Sequence, residues 1–453
     1  MTTTASSPHQ TCEHAPDDHR PTGRVRFVGP ALFVLVTGLA VGRLIWTDPT
    51  TTTTTAKETA AAALDELRAV AETDATSVES WIIFGNASMK AAVASGDRDE
   101  YIAAKDAFDT ALRLAPDSPD ALTARAGFAL NAHDFATALT LAERSVELNP
   151  YNPAALAALV DARIETGRYA AAEVALNALL DVEPSSPAYA RVSYLRELMG
   201  DVDGALLAMQ RAVASASPGA NRATLLVFLG DLQLEMGRVE DASKAYGMAL
   251  MDSPSNAAAT VGQARVLIAR GSLNQAAALL DTAIELGPET TAAIVRGEVA
   301  LLLNDRAGAE AAFAIARTRD DHLRARGEAT DLDSATFLAN RGQTAEAVTR
   351  ASTAYAVRTT VLGADVLAWA LFMAGDLDEA LPLVDDALAT NITSPTVRVH
   401  SAAILAAAGE TGRARDELAV AFRATPWTDL SIRPVAIQLA DQLGMRLPAS
   451  WSL

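Results

Sequence analysis

Residues 373–388 read MAGDLDEALPLVDDAL. Gly375 can take a left-handed conformation, Asp376, Leu377 and two acids follow, and Ala380 opens an apolar pattern at helical spacing. The same order returns at residues 236–250, MGRVEDASKAYGMAL. A single copy could be a catalytic loop. Recurrence marks an architectural unit instead: a helix end, a turn and the start of a second helix.

Aligned on the alanine after each turn, the chain gives Ala104, Ala138, Ala172, Ala205, Ala242, Ala276, Ala309, Ala347, Ala380 and Ala414, spaced 33–38 residues apart. Seven residues beyond each of these lies a second position that is alanine in eight of ten units, with Ser145 and Leu179 the exceptions. A larger filler sits between the two, such as Phe108, Tyr246, Phe313 or Leu418. Small rungs let helices approach closely and the filler occupies the gap. Prolines 116, 150, 184, 254, 288 and 426 close six units, because proline ends one helix and starts the next turn. Half the chain is apolar but only 5% is aromatic, which favours close all-α packing over a sandwich or barrel. At 453 residues the chain exceeds one compact core, and a helical repeat array resolves that excess.

Over residues 77–428 the chain resembles the tetratricopeptide repeat family. Trp81, Phe84 and Gly85 match its first-helix signature in unit one, and Leu229 and Gly230 match it in unit five. Three departures stand out. Unit one carries an insertion around residues 94–100, units two and seven have His133-Asp134 and Asn304-Asp305 where glycine is usual, and units seven to nine lack the closing proline. The resemblance implies an all-α solenoid, a right-handed superhelix of about ten helix pairs whose first helices line a concave groove. End units need caps, which residues 57–76 and 429–453 are expected to supply.

Ahead of the array, residues 1–26 form a polar tail expected to be disordered. The apolar stretch Phe27–Trp46 has the length of a single transmembrane helix. Arg20, Arg24 and Arg26 precede it, which places the tail in the cytoplasm and the array outside. Cleavage as a signal peptide, leaving a secreted soluble protein, is the rival account. The threonine-rich residues 47–56 are a spacer.

The formal charge of −19 excludes nucleic acid as a partner class. No phosphate loop, HExxH, GxSxG or CxxC occurs, so neither an enzyme nor a cofactor is expected. His9, Cys12, His14 and His19 crowd the tail and could hold a transition metal, making the chain an accessory metal-handling protein. An unstructured tail with incidental histidines is the simpler account, since the spacing matches no closed site. Matching the family's first helices implies a partner groove with Asp161, Glu165, Tyr194, Glu197, Asp231, Glu235, Arg265 and Glu298, then Trp369, Phe372 and Met373. Such a groove suits a basic or amphipathic segment of another protein. The expectation is therefore a membrane-tethered, extracytoplasmic scaffold for protein–protein interaction. Ala- and Arg-rich, Lys-poor composition points to a bacterial source, and the anchored layout to envelope assembly or maturation.

Overall fold

The computed structural model describes residues 54–452 apart from 96, 288–289 and 326–330. The tail, most of the spacer and the apolar stretch Phe27–Trp46 lie outside the described residues. Among the described residues no helix is long and apolar enough to cross a membrane.

Helix α1 (Thr54–Thr73) opens the described chain, three residues before the start expected from sequence. Ten antiparallel pairs follow: α2 (Val78–Ser95) with α3 (Arg98–Leu114), α4 (Pro119–Asn131) with α5 (Phe135–Leu148), and α6 (Pro153–Glu165) with α7 (Tyr169–Val182). Next come α8 (Ser186–Leu198) with α9 (Val202–Ser215), α10 (Ala220–Glu235) with α11 (Val239–Asp252), and α12 (Ala257–Ala269) with α13 (Leu273–Leu286). Then α14 (Thr290–Leu302) pairs with α15 (Arg306–Ala325), and α16 (Asp331–Asn340) with α17 (Thr344–Val357). Last are α18 (Val361–Ala374) with α19 (Leu377–Ala387) and α20 (Pro395–Ala407) with α21 (Thr411–Ala421). Helix α22 (Ile432–Gln442) covers the end of the stack, and Trp451 is buried behind it with its indole N–H donating to Ala424 O at 3.0 Å.

Packing follows the rungs. All ten alanines of the first ladder are 0% exposed, so any larger side chain there would force adjacent helices apart. The aromatic fillers lie against first-helix glycines. A Cβ on Gly230 or Gly262 would stand within 2.5 Å of the Tyr246 ring, and one on Gly297 within 2.3 Å of Phe313. The two units without a turn glycine keep the same turn. His133 and Asn304 take positive φ of 56° and 60°, and Asp134 and Asp305 cap the following helix by accepting from Thr137 N and Gly308 N. Asparagine and histidine bear the left-handed conformation better than most residues. Where unit seven lacks its closing proline, α15 runs on to 20 residues against 14 in most second helices.

The feature absent from the repeat pattern is a seam. The loops that close units eight, nine and ten return to the turns of units three, four and five, one superhelical turn earlier. Val361 N donates to Tyr169 Oη at 2.9 Å, Thr390 Oγ1 donates to Leu198 O, and Thr425 Oγ1 donates to Leu234 O at 2.7 Å. These partners are 192, 192 and 191 residues apart in sequence. Thr425 N also donates to Glu235 O at 2.8 Å. A helix leaves its last carbonyls without intrahelical donors, and here threonines of the next superhelical turn supply them for α8 and α10. Gly167 and Gly200 hold positive φ and carry no Cβ, which lets Thr359 O and Asn391 O come into direct contact with the turns. Apolar residues complete the seam: Val361, Leu362 and Ile392 join the core of units two to four, and Trp427 and Leu430 join that of units four to seven.

Candidate functional site

The loops of the seam wall in part of the groove and leave a partly open cavity of about 770 Å³, lined by inner faces of units four to ten and by those loops. Apolar side chains such as Phe228, Ile294 and Phe337 form much of the wall. Set into it are more carboxylates than guanidinium groups. Glu197, Asp231, Glu235, Glu298, Asp365 and Asp429 face Arg265, Arg341 and Arg433.

Of the residues expected in the groove, Tyr194, Glu197, Asp231, Glu235, Arg265, Glu298, Trp369 and Met373 line this cavity together. Asp161 and Glu165 do not. Asp161 is buried and held by both nitrogens of the Arg191 fork, at 2.8 and 2.7 Å. Glu165 is fully buried in an ion pair with Arg358, which arrives from the seam loop between α17 and α18. Phe372 turns into the core of the last units, its ring 5.5 Å from that of Trp369. Trp369 is itself 3% exposed, donates from Nε1 to Asn340 at 2.8 Å and stacks flat on His400 at 4.1 Å, so it supports the wall more than it offers a surface.

Sequence reasoning missed Arg358, Asp429 and the wall residues Phe228, Ile294 and Phe337. The last three sit on first helices and share the inward register of the acids, so a helical-face projection of each unit could have found them. Arg358 and Asp429 come from loops after second helices, and no pattern within a unit marks them. His9, Cys12, His14 and His19 lie outside the described residues. Among the described residues no group of three or more metal-type side chains could hold an ion.

The cavity wall alters the acids. Burial, with repulsion from Asp231, pushes the Glu197 carboxyl up to about 7. Burial, with repulsion from Glu197 and Asp231, lifts Glu235 to about 8. Burial and Asp429 raise Glu298 to about 8, against a partial pull downward from Arg265. Asp231 accepts from Tyr246 Oη at 2.7 Å and meets Arg265 at 3.4 Å. Glu197, Glu235 and Glu298 find no donor among the described residues. Their folded pKa values exceed those of the unfolded chain, so the folded state holds more protons above about pH 4.5 and loses stability as pH rises towards 8. Replacing Glu235 and Glu298 by glutamine should therefore raise the denaturation midpoint more at pH 8.5 than at pH 5, each unit of pKa being worth about 1.4 kcal/mol. A gain of equal size at both pH values would show that these carboxyls titrate normally.

Sequence profiles described as tetratricopeptide repeat match residues 129–193, and others of the same description match 89–153, 229–289 and 262–323. No curated protein matches the chain. Among solved structures, the chain is similar to a thermophilic TPR protein of Thermus thermophilus. That match has 22% identity and a TM-score of 0.37, covering 42% of this chain and 100% of that one. It is also similar to the human IFIT1 dimer with PPP-AAAA, at 17% identity and a TM-score of 0.47, covering 72% of this chain and 77% of that one. Pseudomonas aeruginosa PilF aligns at 15% identity with a TM-score of 0.38, over 43% of this chain and 88% of that one.

Proposed function

We propose that this chain, a tetratricopeptide-repeat-like solenoid, is a scaffold that takes a segment of a partner protein into the cavity its own seam encloses. Tetratricopeptide repeats serve protein–protein interaction, and no reaction chemistry is asked of the cavity. One observation carries the reading: an interior of about 770 Å³ with apolar walls and a surplus of carboxylates, several without counter-ions. A space of that size takes a few side chains, and its character favours a basic or amphipathic segment over an acidic one.

We place the scaffold on the outer face of a bacterial membrane, tethered through Phe27–Trp46 and serving envelope assembly or maturation. Support for that placement is the length of the apolar span and the arginines before it.

A photo-crosslinking residue installed at Phe228, inside the cavity, is the direct test when compared with one at Val174, which is 68% exposed on α7. In intact cells the Phe228 position should yield adducts to a basic or amphipathic peptide segment and the Val174 position none. Protease added outside the membrane should digest the array in the same preparation. Equal adducts from both positions would remove the cavity as the binding site, and a protected array would remove the external placement.

A further inference from the structure

The seam repeats one arrangement with a substitution in it. At the turn of unit three, Glu165 stands two residues before Gly167, and Thr359 of the returning loop touches that glycine. The residue before Thr359 is Arg358, whose guanidinium pairs with Glu165. At the turn of unit five the same frame recurs: Glu235 stands two residues before Gly237, and Thr425 touches that glycine with its methyl group. The residue before Thr425 is Ala424, which brings no cation. At the intermediate turn of unit four, Glu197 stands three residues before Gly200, and the residue before the contacting Asn391 is Thr390. The molecule thus neutralises the acid of this frame at unit three with its own arginine, and leaves Glu235 at unit five, together with Glu197 one position out of register at unit four, lining the cavity without a cation of the seam.

We infer that Glu197 and Glu235 together receive one cationic side chain of the bound segment, in the place that Arg358 fills in cis at Glu165. This rests on the cavity being the binding site, and it names the chemistry recognised there. Three observations support it beyond the presence of acids. The first is the internal guanidinium at the equivalent position, which shows that this frame accommodates a planar cation against the carboxylate. The second is the wall the acids share: Phe228, on α10 like Glu235 and seven residues before it, lines the same cavity and supplies apolar surface that a long cationic side chain can cover with its methylene stem. The third is the crowding of like charge: Asp231 repels Glu197, and Glu197 and Asp231 repel Glu235, so a fixed cation placed among them relieves that repulsion.

Tyr194 lies beside Glu197. Asp231 and Arg265, which hold each other, face the pair from α10 and α12, and Asp429 stands across from Glu298. The seam loops bring Thr390, Asn391 and Thr425, which carry no charge. Binding of a cation must therefore displace protons from Glu197 and Glu235, and affinity should grow as pH rises through their range.

The test uses the full chain and two short probes, acetyl-WLRLF-amide and the same peptide with citrulline in place of arginine, which keeps the shape and removes the charge. By calorimetry at about pH 8, the arginine peptide should bind about tenfold or more tightly than the citrulline peptide, as a charge-assisted pair on a half-buried carboxylate implies. That ratio should shrink towards unity at about pH 6, and in the Glu197→Gln/Glu235→Gln double variant at both pH values. The double variant should fold at least as well as the parent, because glutamine mimics the protonated acids. Equal binding of both peptides by the parent would overturn the cation site and leave the cavity reading standing. Failure of either peptide to bind, or binding that survives a Phe228→Asp/Ile294→Asp change of the wall, would overturn the cavity reading itself.

Discussion

Arg358→Met will destabilise the protein by about 3–5 kcal/mol and part the seam at unit three. Glu165 is 0% exposed and Arg358 is 7% exposed, so neither charge reaches water when the other is removed. Burial already holds the Glu165 carboxyl above its ordinary value, and the guanidinium is the chief influence pulling it down. Without that guanidinium the acid must either stay ionised in an apolar setting or take up a proton, and both cost free energy at neutral pH. The variant's acid has a folded pKa raised further above 4.5, so the penalty is full at high pH and fades as pH falls towards the unfolded value. Replacing both partners by apolar groups, Glu165→Leu with Arg358→Met, should recover most of the loss, because no charge is then left buried. Urea denaturation of the two variants at pH 8 and pH 5 reads all of this. An Arg358→Met protein as stable as its parent at pH 8, or a double variant no better than the single, would show that the pair does not hold the seam.

Gly200→Ala and Gly271→Ala make a matched comparison for the seam contact at the turn of unit four. Both glycines sit in repeat turns with nearly the same backbone, φ of 78° and 73°. Each substitution costs about 1–2 kcal/mol for placing a Cβ in the left-handed region. There the likeness ends. Around Gly271 a Cβ would meet nothing within 4 Å, whereas at Gly200 it would fall 1.9 Å from Asn391 O. That oxygen belongs to backbone, which cannot swing aside as a side chain can, so the loop after α19 must withdraw and its hydrogen bond from Thr390 to Leu198 O must break. Gly200→Ala should therefore lose about 1–3 kcal/mol more than Gly271→Ala, the range for forcing extra atoms into a packed contact. It alone should enlarge the radius of gyration in small-angle scattering. Equal losses and unchanged scattering for both variants would mean that the superhelical turns do not depend on one another.

Much of the architecture was legible because it is local. A positive-φ residue ends a first helix whether it is Gly375 or Asn304, an alanine at a fixed distance lets the second helix nest, and Phe313 or Tyr246 fills the space beside a glycine. Each of these effects acts within one or two units, so a period in the sequence exposes them. The candidate site was legible only as far as helical register extends. Glu165 and Glu235 hold the same place in their units, and nothing in either unit says that one is neutralised and the other left open.

Sequence alone thus determined the helix pair, its turn and its stacking on the next pair, since those contacts join residues a few dozen positions apart and recur often enough to be seen. Tertiary structure alone decided that the stack returns on itself, that Arg358 lands on Glu165 while Ala424 falls near Glu235, and that the groove is walled in part by the returning loops. The physical reason is accumulation. Small rotations between neighbouring units add up over some 190 residues. Which loop meets which helix end after a full turn is a property of that sum, written in no single repeat.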